Sequence, residues 1–297
     1  IQRALMKVLV TGARGQLGHE VVRVSSRLGQ EIITPSLQDM DFIVPDQVAE
    51  TVLACREDWV VNCAAFTQVD QAESEPEAAF TVNRDSAGHL AQAVAELDGR
   101  LVHISTDFVF DGRQSCPYQE DDLPNPLSVY GQSKLEGEQA VLKAMPAAIV
   151  LRTAWVYGAH GENFVKTMLR IAATGKPLRV VNDQTGTPTW AADLASVILP
   201  LFDCDAAGVL HYTNAGQTTW YGFAVAILEE AARLGFDIRT QAVHPVSTDE
   251  YPTPATRPAY SVLDTQKIQA CLPVPVPEWR DSLKNMLKEL YSCADCW

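Results

Sequence analysis

The chain has 297 residues and no run approaching the roughly 18 consecutive apolar residues that a bilayer span requires, so an integral membrane helix is excluded. It is poor in basic residues: 23 Lys and Arg stand against 37 Asp and Glu, and 23 − 37 gives the formal charge of −14. Such a balance repels nucleic-acid backbones and anionic membrane surfaces unless a local basic patch overrides it. Cysteine is too scattered for a disulfide framework. The seven residues (Cys55, Cys63, Cys116, Cys204, Cys271, Cys293 and Cys296) are odd in number and lie in a chain long enough to need no staples, which predicts a reducing compartment. Cys293 and Cys296 form a CxxC near the C-terminus, but no second pair or nearby His completes a zinc site, and a frayed tail is expected. Internal repeats and low-complexity linkers are absent, and Ile1 to Leu5, ahead of Met6, are too few for a signal peptide. The expectation is a soluble, cytoplasmic protein that binds neither nucleic acid nor membrane.

What is present is a core-forming composition, 47% hydrophobic, with a regular rhythm. Short β-branched runs at 7–11, 31–34, 59–63, 100–105 and 147–152 alternate with helical patterns at 16–28, 46–55, 76–97 and 129–145. Repeated βα alternation predicts an α/β fold, a doubly wound parallel sheet of Rossmann type covered on both faces. After Arg152 the rhythm loosens: helices at 163–174, 191–202 and 220–234, extended segments at 178–181 and 209–212, and a last helix at 279–291. The prolines between His244 and Pro258, with Pro273, Pro275 and Pro277, read as ordered loops. The division expected is a dinucleotide domain over 6–153 with a returning segment at 191–215. A smaller, discontinuous C-terminal substrate lobe would comprise 154–190 and 216–297.

The first strand runs directly into Gly12-Ala-Arg-Gly15-Gln-Leu-Gly18 and then a helix. A dinucleotide pyrophosphate needs this order of parts. One glycine turns the chain, another lets backbone approach the phosphates, a third lets helix pack on strand, and the helix N-terminus offers free N–H groups to the anion. Position 2′ of the adenosine ribose is usually read by a carboxylate ending the second strand. That strand here ends Ile33-Thr34-Pro35-Ser36, and Arg14 lies in the glycine loop, which favours NADPH over NADH; Asp39 or Asp41 keeps NADH open.

Tyr130 and Lys134 stand at i and i+4 on one helix face, 24 residues after a strand ending Ser105-Thr106 and behind the rigid entry Pro124-Asn-Pro126. In the catalytic reading the Lys134 ammonium lowers the Tyr130 phenol below its usual range and holds the cofactor ribose. Tyr130 then protonates a carbonyl oxygen as hydride reaches the carbon, with the Thr106 hydroxyl bonded to that oxygen.

The glycine loop, the Thr106, Tyr130 and Lys134 set and the split second lobe resemble the extended short-chain dehydrogenase/reductase superfamily. More narrowly, the segments GARGQLG (12–18), NCAAFTQVD (62–70), AESEP (72–76), STDFVFDG (105–112), NPLSVYGQSKLEGE (125–138), RTAWVYG (152–158), NDQTGTPT (182–189) and YPTPATRP (251–258) are similar to the dTDP-4-dehydrorhamnose reductase family, between about Met6 and Arg280. The resemblance implies reduction of the C4 ketone of dTDP-6-deoxy-L-lyxo-4-hexulose to dTDP-L-rhamnose with NAD(P)H. It implies that Gly15, Gln16, Leu17, Pro35, Ser36, Asp41, Phe42, Ala65, Phe66 and Thr67 line the dinucleotide, and that Thr106, Asp107, Tyr130, Lys134 and Trp155 face the sugar. Core packing is the plainer alternative for Trp155. For the substrate pyrophosphate Arg257 is the preferred partner, a bidentate fork held by prolines, ahead of Lys166, Arg170, Lys176 and Arg179, which also read as a solvated helix face.

Many family members carry Tyr where Phe108 stands, and Tyr or His where Phe66 stands; altered substrate contacts are expected. Some hold magnesium at a dimer contact through glutamates. Glu20 matches one such position and Ala192 occupies another, so neither the metal nor that dimer is expected, and a homodimer stays open. Two other functions compete. One is another nucleotide-sugar enzyme on the same scaffold, a 4,6-dehydratase or 4-epimerase; dehydration needs a second carboxylate after Thr-Asp, where Phe108 stands. A non-catalytic binding subunit need not keep Thr106, Tyr130 and Lys134 together.

Overall fold

The computed structural model describes residues 7–57 and 59–293, so Met6 and Cys296 lie outside the described residues. The first half runs β1 (Lys7–Thr11), α1 (Gln16–Arg27), β2 (Glu31–Ile33), α2 (Pro45–Cys55), β3 (Trp59–Asn62), α3 (Val69–Ala72), α4 (Pro76–Phe80), α5 (Ser86–Glu96), β4 (Arg100–Thr106), α6 (Val129–Ala144) and β5 (Ile149–Thr153). It continues through β6 (Val156–Tyr157), α7 (Phe164–Ala173), β7 (Leu178–Val181), β8 (Thr185–Gly186), β9 (Thr189–Trp190), α8 (Ala191–Leu201), β10 (Gly208–His211), β11 (Thr218–Thr219), α9 (Trp220–Leu234), β12 (Val243–Val246), α10 (Gln266–Gln269) and α11 (Trp279–Ser292).

Six strands form one sheet in the order β10-β5-β4-β3-β1-β2, every neighbouring pair parallel. Alternation along β1 sends Val8 and Val10 to one face, where α1, α8 and α10 supply Leu17, Val21, Leu194, Ile198 and Ile268. Leu9 points to the other, against Val48 and Val52 of α2, Leu90 and Val94 of α5 and Val141 of α6. Both faces are dry, which explains why these strands read as continuous apolar runs. Because β1 lies between β2 and β3, the chain winds in opposite senses on either side of it. The crevice at the carboxyl ends of β1 and β3 is therefore the switch point at which such sheets bind ligands. A separate core of Tyr157, Val165, Leu169, Val180, Phe223, Ile227, Leu283 and Leu287 joins α7, α9 and α11 with β7.

Three expectations are corrected. The helix expected over 76–97 is interrupted: α4 and α5 are separated by a π turn, Thr81–Asp85, which carries Asn83 inward. Part of the proline-rich stretch is a strand rather than a loop, since β12 pairs in parallel with β7 in a two-stranded ribbon, where Pro245 needs no N–H on its open side. Cys204, just past α8, is bonded to Cys271, just past α10, although nothing in their spacing pointed to a pair.

Candidate active site

The glycine turn is shaped by close approach. Gly12 has φ +64°, and a Cβ there would stand 2.7 Å from Ala64 N; a Cβ on Gly18 would stand 2.2 Å from Gly12 O. Gly15 is the N-cap of α1 with no side chain to satisfy the first-turn N–H groups, and Leu17 is buried beneath them. A backbone cradle open to an anion at the positive end of a 12-residue helix fits a dinucleotide pyrophosphate. Gln16 is steadied by Asn163, whose Nδ2 donates to Gln16 Oε1 at 3.0 Å.

The second wall follows β3. Thr11 Oγ1 donates to Asn62 Oδ1 (2.6 Å) and accepts from Ala64 N (3.2 Å), so β1 sets the start of the Ala65-Phe66-Thr67 loop. Asn83 then grips Phe66 at both backbone atoms (2.8 and 3.1 Å) and donates to Ser133 Oγ (2.9 Å) between Tyr130 and Lys134. After β2, Pro35 leads to Ser36, whose hydroxyl donates to Asp39 (2.6 Å). Asp41 caps the backbone of Ile43 (2.9 Å). The Phe42 ring is packed in the core between α2 and α5 and its carbonyl accepts from Ser86 Oγ (2.6 Å), which leaves its N–H rather than its ring for a ligand.

Lys134 is 2% exposed, and its Nζ donates to Ile104 O on β4 at 2.7 Å. Burial pushes its ammonium down to about 8, while Glu138 and Cys63 pull upward. The Tyr130 hydroxyl faces the Thr106 side chain, and its ring stands edge-on to Phe108 at 5.5 Å. Burial pushes the phenol up to about 12, with the Asp107 carboxylate adding to the rise and the Thr106 hydroxyl opposing it. This reverses the expected direction. Lys134 points its charge at Ile104 O, so desolvation governs Tyr130 and the phenol keeps its proton at neutral pH.

Thr106 is the hub: its Oγ1 accepts from Phe108 N (3.2 Å) and bonds Asp107 Oδ1 (3.1 Å), capping the 3-10 turn Asp107–Val109. Asp107 is 2% exposed, with Oδ2 left unpartnered. Its acid is pushed up to about 6 by burial, against the opposing pull of the neighbouring Ser261 and Thr106 hydroxyls. A carboxyl raised in the folded state loses stability as pH climbs from its unfolded value through 6, and the loss persists above that. Asp107→Asn is therefore expected to stabilise the fold at pH 7 and above by on the order of 2 kcal/mol. The gain should vanish below about pH 4; denaturant titrations at both pH values check this, and an equal effect at both would refute it.

Trp155 has φ +46° and stacks on Trp220 at 3.6 Å, the two rings sharing one small cavity with Phe108, Gln184, Arg257 and Ser261. Arg257 is not a free cation. Its fork is bidentate to Asp70 (3.0 and 2.9 Å) and also reaches Thr253 Oγ1, tying the proline-rich loop to the segment after Thr67. The lesser cations do not form a patch: Lys166 is buried in α7, while Arg170 turns to Glu162. Glu20 is buried and paired with Arg23. Sequence reading missed Asn83, Glu138, Arg152 and Trp220. Arg152, a lone charge within the apolar strand IVLRT, signalled a buried ion pair.

A glycine-cradled helix N-terminus at the switch point, with Tyr, Lys and Thr converging beside it, defines a dinucleotide-dependent reductase of the extended short-chain dehydrogenase/reductase type. The family described as RmlD substrate binding domain matches residues 6–292. The dTDP-4-dehydrorhamnose reductase of Escherichia coli K12 is 41% identical over 295 residues, 97% of this chain and 99% of that one. The solved dTDP-4-dehydrorhamnose reductase of Clostridium acetobutylicum superposes with a TM-score of 0.90 at 40% identity, covering 96% of this chain and 99% of the other. That of Bacillus anthracis, solved in complex with NADP, gives 0.91 at 35% identity, covering 96% and 100%. The chain belongs to the dTDP-4-dehydrorhamnose reductase family.

Proposed function

We propose that this protein reduces the C4 ketone of dTDP-6-deoxy-L-lyxo-4-hexulose to dTDP-L-rhamnose. The carrying observation is the single face of α6 that sets Tyr130 and Lys134 against the end of β4, with Lys134 Nζ on Ile104 O at 2.7 Å and Tyr130 facing Thr106, the phenol raised by burial and so still protonated at neutral pH. Bound NADPH supplies the hydride to C4. Gly12, Gly15 and Gly18 let the α1 amides take the pyrophosphate, Gln16 and Leu17 extend that wall, and Ala65, Phe66 and Thr67 form the opposite one. Pro35, Ser36, Asp41 and Phe42 border the adenosine end, and the exposed Arg14 supports NADPH over NADH.

Lys134 holds the ribose, and Tyr130 releases its proton to O4 as the C4–O4 double bond becomes a single bond. Thr106 turns its one O–H from Asp107 Oδ1 to the same oxygen, a contact that strengthens as negative charge develops there. Asp107 and Trp155 fix the sugar, Trp155 offering its face from the cavity it shares with Trp220. Arg257 reaches the substrate diphosphate by sharing its fork between phosphate and Asp70. We read a dinucleotide lobe over 6–153 with 191–215 and a substrate lobe over 154–190 and 216–297; the cores on the two sheet faces and the separate core of α7, α9 and α11 favour this division, except that Ile268 of α10 packs with the sheet core and so belongs to the dinucleotide lobe.

No described helix is long and apolar enough to cross a membrane. The reading places the protein in the cytoplasm, where NADPH and nucleotide sugars are produced. A dehydratase is disfavoured because the residue after Asp107 presents a ring, not a carboxylate, to Tyr130. The test is purified protein mixed with NADPH and the 4-keto sugar nucleotide, following NADPH absorbance. Substrate-dependent loss, faster than with NADH, is expected; no loss with either cofactor would refute the reading.

A further inference from the structure

Helix α6 presents Tyr130, Lys134 and Glu138 at four-residue intervals, a single stripe along one face. All three engage consecutive residues at the end of β4. Tyr130 faces Thr106, Lys134 Nζ donates to Ile104 O at 2.7 Å, and Glu138 Oε1 accepts from Ser105 Oγ at 2.5 Å. Behind Glu138 lies a second charge: Arg152 of β5 donates from Nε (2.9 Å) and Nη2 (2.7 Å) to its two oxygens, both side chains 3% exposed. The guanidinium lies over the Phe110 ring at 5.1 Å, with Nη1 3.4 Å from His211 Nε2 on β10.

A buried ion pair of this kind is a weak source of net stability, because desolvation offsets the attraction and an apolar pair of similar volume would serve as well. What an apolar pair would not supply is a fixed negative charge one helical turn from Lys134. The Asp107 carboxylate of the same site acts on Tyr130 rather than on that ammonium, and the remaining titratable groups near it are neutral. Cys63, after β3, is pushed up to about 12 by burial. His103 of β4 is held well below its usual range by burial and by Lys134 itself. Tyr130 keeps its proton. Charged groups on the segments covering α6 are engaged elsewhere, Arg84 of the π turn with Asp85 and Glu136, and Glu73 with Val129 N.

We propose that Glu138 is a positioning residue: held by Arg152 and Ser105, it supplies the counter-charge for the Lys134 ammonium and fixes Nζ in register with Thr106 and Tyr130. The inference rests on Lys134 as the ribose-holding residue. Without Glu138 the buried Lys134 would lose its proton near neutral pH and, with it, the charge that strengthens its bond to the ribose and stands beside Tyr130.

The test is a pH titration of lysine side-chain nitrogens by NMR in the cofactor-free protein, with Lys134 assigned from the signal missing in Lys134→Arg. Glu138→Gln, which keeps size and hydrogen-bonding capacity, is expected to lower the Lys134 midpoint by about one unit or more. It should also weaken NADPH binding several-fold at pH 8 while leaving it unchanged at pH 6. Ser105→Ala removes a hydrogen bond without changing charge and should leave the midpoint in place, which separates charge supply from general loosening. If Arg152 left unpaired prevents folding of Glu138→Gln, the double variant Glu138→Gln/Arg152→Met removes both buried charges, and a fall in the same direction but smaller is expected, because the Arg152 charge that opposes the Lys134 ammonium goes too. An unmoved midpoint in the folded variant overturns the inference. A lowered midpoint with NADPH affinity indifferent to pH and to Lys134→Arg would instead overturn the cofactor role of Lys134 and leave the Glu138 inference standing.

Discussion

Tyr130→Phe is expected to lower kcat by about two to four orders of magnitude, the range lost with a positioned general acid. NADPH affinity should stay within about threefold, because Phe keeps the ring against Phe108 and leaves Lys134 untouched. The direction of the phenol's shift makes the prediction sharp. A tyrosine pushed up to about 12 is fully protonated at neutral pH, so it is poised to donate to a developing alkoxide rather than to abstract a proton. The variant also leaves Thr106 bonded to Asp107 and Phe108 N, so loss of turnover reports the proton donor and not collapse of the turn. Single-turnover NADPH oxidation with saturating sugar nucleotide measures it. Full activity in the variant would remove Tyr130 as donor and pass the role to Asp107, the other acid within reach, in which case activity would fall above pH 6.

That Tyr130 stands beside Thr106 and Lys134 could be anticipated, since a four-residue helical spacing and a strand ending in Ser-Thr are local patterns. The glycine turn was legible for the same reason: its three glycines, the preceding strand and the following helix are contiguous in sequence. The sense of the Tyr130 shift was not legible. It depends on whether the Lys134 ammonium faces the phenol or a carbonyl, and Ile104 O lies 30 residues away in sequence. Arg257 illustrates the same limit. Its fork and flanking prolines were visible, but the carboxylate that occupies the fork, Asp70, is 187 residues distant. The π turn carrying Asn83 lies within a stretch of unbroken helical periodicity, and only packing against α6 accounts for the extra residue there.

That packing supplies the largest stability effect expected of a single methyl group. Gly137 lies on α6 between Glu136 and Glu138, where it meets the π turn: a Cβ at this position would stand 2.0 Å from Asn83 O and 3.0 Å from Asn83 C. Both neighbours are backbone, so no side chain can swing away. Relief requires α6 and the π turn to part. On helix propensity alone, Gly137→Ala would stabilise α6 by up to about 1 kcal/mol. Overpacking acts the other way and should prevail, with a net loss of about 3 kcal/mol or more in denaturant unfolding. The consequence extends to the site. Asn83 holds Phe66 by two backbone bonds and Ser133 by a third, so displacing it shifts the Ala65-Phe66-Thr67 wall relative to the Tyr130–Lys134 stripe. Weaker NADPH binding is therefore expected under conditions where the variant is still fully folded. An alanine variant as stable as the parent, with NADPH affinity unchanged, would show that the π turn yields freely and that Asn83 does not couple the two walls.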